Sequence, residues 1–249
     1  MRHTGPLVRS YAITHPEGDV RLPTQPGWDQ ILYAKSGLFT ARAANESWTV
    51  PPHRALCVLD GTTIFVSNRR PTVLRCLYLQ RELGALRFGN RVVSTEPLTR
   101  HLLLHIVDRC PLGLIDESER ALIRVLIDQL EAAVAAPLHL PYPKDERCGA
   151  LANVLQNDPA ITLTEAIARV PASRRTLERL FRAETGMTLA GWQRRTRILA
   201  SLQLLAEDQP MVDVAIACGY ATPSSFAAAF RSELGTTPRA LLKQREPAH

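Results

Sequence analysis

The feature that most constrains the fold is an internal repeat in the last third of the chain. Ile167-Ala168 matches Ile216-Ala217, Ser173 matches Thr222, Leu177 matches Phe226 and Phe181 matches Phe230, each pair separated by 49 residues. In the first copy Leu163 to Arg169 reads as a short amphipathic helix, and Pro171 forbids its continuation, so a turn is forced. Ser173 then caps a second helix whose Leu177, Leu180 and Phe181 face inward and whose Arg174, Arg175, Glu178, Arg179 and Arg182 stay outside. The second copy repeats the plan. Met211 to Cys218 is a short apolar helix, Gly219 suits a left-handed C-cap, and Thr222 caps a helix through Pro223, Phe226, Phe230 and Leu234. Each copy is a helix, a tight turn and a second helix with a polar outer face. That is the helix-turn-helix plan, whose second helix fits the DNA major groove. Leu189 to Glu207 reads as one connecting helix, about 28 Å long at 1.5 Å per residue. With a B-DNA pitch of about 34 Å, such a rod can set two recognition helices in successive major grooves on one side of the duplex, without a palindrome.

The charge supports the same partner. The chain of 249 residues has a formal net charge of +6. Between Arg169 and Arg197 stand eight arginines, no lysine and two acids, Glu178 and Glu184, a surplus equal to that of the whole chain. An all-arginine run favours forked contacts to phosphate and guanine over mere solubility.

Upstream, Trp28 to about Tyr78 is a series of short runs rich in β-branched and aromatic residues, broken by Ser-Gly, Pro-Pro, Asp-Gly and Arg-Pro pairs, the texture of a small barrel or sandwich. After Pro97 the period becomes helical, with Leu98, Leu102, His105 and Ile106 in one helix and Glu117 to Ala135 in another, a hairpin suited to dimerisation or coupling. Pro137, Pro141 and Pro143 mark the domain boundary. The expected organisation is α+β in two domains: a small β-barrel at 1–96 with a helical hairpin at 97–136, a proline-rich linker at 137–147, and an all-α domain at 148–246. The two helix-turn-helix motifs of that domain span about 163–184 and 211–234, joined by the long helix.

Asp213-x-Ala215-x-x-Cys218-Gly219-Tyr220-x-x-x-Ser224-x-Phe226-x-x-x-Phe230-Arg231-x-x-x-Gly235-x-x-Pro238 resembles the signature of the AraC-type (AraC/XylS) transcription regulators. Ser173-Arg174-Arg175-Thr176-Leu177-x-Arg179-Leu180-Phe181-x-x-Glu184-Thr185-Gly186-Met187 is similar to their first motif, and the likeness runs from Lys144 to Leu242. It implies that Arg175, Glu178 and Arg179 face bases in the first copy, and Pro223, Ser224, Ser225, Ala227 and Ala228 in the second. Ser173, Arg174, Thr176, Arg195, Thr222 and Arg231 complete the expected DNA-contacting set. Ala227-Ala228-Ala229 departs from the polar residue and arginine often found there; alanine touches a thymine methyl but cannot hydrogen-bond a base, so the first copy is expected to carry base discrimination.

Trp48 to Leu56 and Leu138-x-Leu140-Pro141-x-Pro143-x-Asp145-x-Arg147 are similar to an AraC-type branch with a cupin-like sensor domain, which implies a small effector in the barrel among Trp28, Tyr33, Phe39, Trp48, Phe65 and Tyr78. Cupins ligate metal through a Pro-x-Gly-x-x-His-x-x-x-Asn motif. Here Gly61 and Asn68 are kept but Ile64 replaces the histidine, and 21–30 lacks the histidine of the other motif, so no metal and no cofactor are expected. His101 and His105, with His53, are the remaining metal candidates, a sparse set that reads as surface or core. The resemblance implies double-stranded DNA as partner, RNA polymerase if the protein activates, and a homodimer.

The alternatives are an architectural DNA-binding protein, held by charge alone, and a cupin-type enzyme, against which the missing ligands count. The chain has no G-x-S-x-G, P-loop or dinucleotide fingerprint. A DNA-repair methyltransferase would need clustered cysteine ligands, whereas Cys57, Cys76, Cys110, Cys148 and Cys218 are each more than ten residues apart and read as buried thiols of a reducing compartment. No run of about 18 apolar residues and no leader-like segment is present, so a cytoplasmic protein with no membrane partner is expected.

Overall fold

A computed structural model describes residues 6–83, 86–113 and 116–243; residues 244–246 of the expected DNA-binding domain and the first five of the expected barrel lie outside the described residues. The chain divides into two compact units, residues 1–43 with 48–136, and residues 44–47 with 137–249.

The elements of the first stretch are β1 (Val8–His15), β2 (Gly18–Arg21), β3 (Trp28–Ser36), β4 (Phe39–Ala43), β5 (Glu46–Val50), β6 (Arg54–Val58), β7 (Phe65–Asn68), β8 (Thr72–Gln80), β9 (Arg91–Ser94), α1 (Pro97–Arg109) and α2 (Glu117–Ala132). The strands form two antiparallel sheets, β1-β8-β3-β6-β9 and β5-β4-β7-β2. Strand β3 is buried along seven successive residues, Trp28 to Ala34, because both faces of its sheet are covered. On one face Ile31, Tyr33, Ala55, Cys57, Leu77 and Leu79 pack with Leu103, Ile106, Ile123, Leu126 and Leu130 of α1 and α2. The alternate residues face the other way, as the register Leu32↔Cys76, Ala34↔Leu74 and Leu32↔Leu56 requires. The hairpin helices start where the sequence predicts: Pro97 opens α1, and the Asp116 side chain accepts from Glu119 N to cap α2.

The second unit holds β10 (His139–Pro141), α3 (Glu146–Asn157), α4 (Leu163–Ala168), α5 (Arg174–Thr185), α6 (Leu189–Ala206), α7 (Met211–Ala217), α8 (Pro223–Leu234) and α9 (Pro238–Lys243). The stretch 137–147, expected as a linker, is strapped to α6. Arg195 Nε donates to His139 O and Nη2 to Pro137 O, and Trp192 Nε1 donates to Pro141 O at 2.7 Å. Its last residues already belong to α3, capped by the Asp145 carboxylate, whose pKa the Arg147 guanidinium holds at about 2. The repeat is visible in three dimensions. Helices α5 and α8 are each 12 residues long, and Ser173 and Thr222 cap them by accepting from Thr176 N and Ser225 N at 3.2 and 3.1 Å. Each ends on a left-handed glycine, Gly186 at φ 71° and Gly235 at φ 70°, a conformation in which any Cβ is strained. Each also buries an aromatic pair: Phe181 stands edge-on to Trp192 at 5.4 Å, and Phe226 to Phe230 at 5.7 Å.

Candidate nucleic-acid interface

The outer face of α5 is an arginine ridge. Leu177 and Phe181 are buried, which leaves Arg175, Arg179 and Arg182 exposed at spacing i, i+4 and i+7 along one side of the helix. Among the described residues none of the three makes a hydrogen bond or an ion pair, so their forks are available to an anion. Arg174 differs: its Nε donates to Glu178 Oε1 at 2.8 Å, so this exposed pair neutralises itself beside the ridge. Ser173 and Thr176 are joined at the cap, their hydroxyls 2.8 Å apart.

The matching face of α8 is nearly uncharged. Ser224, Ala228 and Arg231 are exposed, Pro223 and Ala227 half-buried. The Ser225 hydroxyl donates to Thr222 O and also takes part in the cap with Thr222 N. Ser225 and Thr222 are therefore engaged in shaping the helix start, and Ser224 is the hydroxyl left outward.

The arginine run does not act as one. Arg195, expected to contact DNA, has a side chain only 20% exposed, bonded to the two carbonyls of 137 and 139 and 3.6 Å from Glu233 Oε2. Arg194 pairs with the same carboxylate at 2.7 Å, and Arg197 is spent on backbone carbonyls. Four of the eight arginines of 169–197 thus hold the unit together or are self-paired, and the anion-facing charge is concentrated on α5. A guanidinium's partner is set by tertiary packing, which no local pattern announces.

Two members of the aromatic set named for an effector, Tyr33 and Phe65, stand apart from the rest. Tyr33 lies on the face of β3 that packs against α1 and α2, and Phe65 is 51% exposed on β7. Phe39 and Trp48 are buried core, and Arg9 lies 4.8 Å over the Trp28 ring. On the sheet face turned away from α1 and α2, Tyr78 pairs across with Gln30, and Gln80 with Trp28. There the buried atoms Gln30 Oε1, Tyr78 OH and Gln80 Oε1 have no hydrogen-bond partner among the described residues. Burial, with Cys76 and Tyr11 nearby, pushes the Tyr78 phenol well above its ordinary range and keeps it a neutral donor. The two glutamines were missed by sequence reasoning; the signal was their period-two alternation with Leu32 and Cys76.

The cupin-like residues have structural duties. Gly61 sits at φ 82°, Asn68 Nδ2 donates to the carbonyls of His15, Pro16 and Arg70, and Ile64 is buried. His101 Nδ1 bonds Pro97 O and His53 Nδ1 lies 2.8 Å from Arg100 Nη1, and among the described residues no group of three potential ligands converges on a metal position. Burial raises the thiols of Cys57, Cys76 and Cys218 to about 12, so they are inert. Among the described residues no helix is long and apolar enough to cross a membrane.

Comparison with known proteins points the same way. Residues 167–244 match the helix-turn-helix domain family. The HTH-type transcriptional regulator NimR of Escherichia coli is 27% identical over 213 residues, covering 84% of this chain and 77% of NimR. The HTH-type transcriptional activator RhaR of Salmonella heidelberg is 27% identical over 161 residues, 64% of this chain and 46% of RhaR. The crystal structure of the DNA-binding domain of AdpA in complex with a target DNA is 32% identical, covering 38% of this chain and 90% of that domain, with a TM-score of 0.34.

Proposed function

We propose that the chain is a helix-turn-helix transcription regulator of the AraC type, as its match to the helix-turn-helix domain and its likeness to NimR support, and that it reads a bipartite, non-palindromic site, with α5 in one major groove and α8 in the next. The observation that carries this reading is the pair of equally long, equally capped helices flanking the 18-residue α6, about 27 Å long against a DNA pitch of about 34 Å. Arg175 and Arg179 bind guanine through their forks and supply most of the base discrimination, while Glu178 and Arg174 set the edge of that contact. Ala227 and Ala228 meet thymine methyl groups, Pro223 and Ser225 shape the helix start, and Ser224 and Arg231 hold phosphates. Interference by guanine methylation and by uracil in place of thymine on the selected duplex tests this. A guanine cluster under α5 and a thymine cluster about one helical turn away under α8 are expected; interference confined to one block would overturn it.

The N-terminal unit is then the sensor of a small polar molecule, held on the sheet face that carries Gln30, Tyr78 and Gln80. Their buried, unpartnered polar atoms support this reading, since such atoms cost stability unless something bonds them. The α1/α2 hairpin exposes Leu98 and Val125, a surface suited to a second copy of the chain. Activation of transcription is the direction that the name of RhaR as an activator supports.

A further inference from the structure

One side chain of α6 is bonded at once to the turn that leads into the first helix-turn-helix motif and to the turn inside the second. Arg197 Nε donates to Pro159 O at 2.8 Å, and Nη2 to Ile161 O at 3.0 Å and Ala160 O at 3.4 Å, the carbonyls of the turn that leads into α4. Its Nη1 donates to Gly219 O at 3.2 Å, in the turn between α7 and α8. The neighbouring Tyr220 ring lies 6.0 Å from the guanidinium. One turn earlier on α6, the buried Gln193 Nε2 donates to Ile161 O at 2.8 Å. The approach is close enough to demand glycine at 219: a Cβ there would stand 2.9 Å from Arg197 Cζ and 3.0 Å from Ala160 Cα, and φ is already +75°. A planar fork with five donors can serve carbonyls on two sides, whereas a lysine ammonium reaches only one of them.

We propose that Arg197 is a positioning residue that fixes the separation of the two recognition helices, and thereby the length of DNA accepted between the two sequence blocks. The proposal rests on the bipartite reading above. Two linked contacts gain avidity only when their geometry allows simultaneous engagement, so a rigid clamp turns block spacing into specificity. Arg197 makes this contribution without touching DNA.

The test uses the full-length protein, a duplex recovered by selection from a random library, the same duplex with one base pair inserted or deleted between its blocks, and versions with either block scrambled. Wild-type protein should lose about tenfold or more in affinity on the altered spacings. Arg197→Lys should bind the single-block duplexes within about twofold of wild type, bind the native spacing about tenfold more weakly, and discriminate the altered spacings less than about threefold. A merely structural defect would weaken single-block and two-block binding in parallel, and that result overturns the proposal. So does an unchanged spacing profile. Gly219→Ala pushes on the same clamp from the opposite turn and is read in the same way should Arg197→Lys fail to fold. If selection returns only one block, the bipartite reading itself falls and takes the proposal with it; two blocks with an unaltered Arg197→Lys profile overturn the proposal alone.

Discussion

Arg195→Ala removes a guanidinium four-fifths buried in its surroundings and bonded three ways, to His139 O at 2.8 Å, to Pro137 O at 3.1 Å and to Glu233 Oε2 at 3.6 Å. The half-buried, charge-assisted bond to His139 O is worth about 1.5–3 kcal/mol, because its loss strands a carbonyl. The exposed bond to Pro137 O and the long ion pair add about 0–1 kcal/mol, because water screens them. A loss of about 1.5–4 kcal/mol, at a urea m-value of about 2 kcal/mol/M, lowers the unfolding midpoint by about 1–2 M. Urea titration read by tryptophan fluorescence follows it, since Trp192 bonds the same strap at Pro141 O. Affinity for a random-sequence duplex and its salt slope should stay unchanged wherever the variant is folded. An unchanged midpoint together with a salt slope smaller by about 0.9 would make Arg195 a phosphate contact and refute the reasoning.

Arg179→Ala should do the opposite, costing about 1–3 kcal/mol at one position of the bound site, measured by competition with single-base variants, with no change in unfolding midpoint. Phe226→Ala removes a fully buried ring 5.6 Å from Tyr220 and 5.7 Å from Phe230, and should destabilise the C-terminal unit by about 3–5 kcal/mol in the same urea titration. Burial lowers the pKa of His139 below 6.5, against a raising influence from Glu46. The folded state therefore binds fewer protons than the unfolded chain, and stability present above pH 6.5 falls as the pH drops through that value; midpoints at about pH 7.5 and 5.5 should differ in wild type and differ less in His139→Gln.

The helix-turn-helix pair was legible because its signals are local. A hydroxyl at Ser173 or Thr222, apolar positions three to four residues apart and a closing glycine determine each helix within about a dozen residues. The strands Trp28–Ser36, Arg54–Val58 and Thr72–Gln80 also announced themselves through β-branched and aromatic runs. By contrast β1, β2 and β9 carry little such signal. Val8–His15 is strand because it pairs with β8 from Val8↔Leu79 to His15↔Thr72, and Gly18–Arg21 because it pairs with β7, contacts that exist only after the chain has folded. The same distinction separates the site residues. Exposure of Arg175 and Arg179 follows from helical phase, whereas the engagement of Arg195 and Arg197 depends on carbonyls 22 to 58 residues away. The packing of Tyr33 against α1 and α2 is not legible locally, because β3 is buried on both faces and alternation alone does not say which face the helices cover.

The central claim, that one chain reads two blocks of bases through α5 and α8, is tested most directly by selecting bound duplexes from a random library with the purified full-length protein at near-physiological salt. The account predicts an enriched motif of two unlike blocks about one helical turn apart, the more sharply defined one lost in Arg175→Ala and Arg179→Ala proteins. A pool with no base preference, bound with a steep salt slope, would contradict it and leave a protein that holds DNA by charge alone.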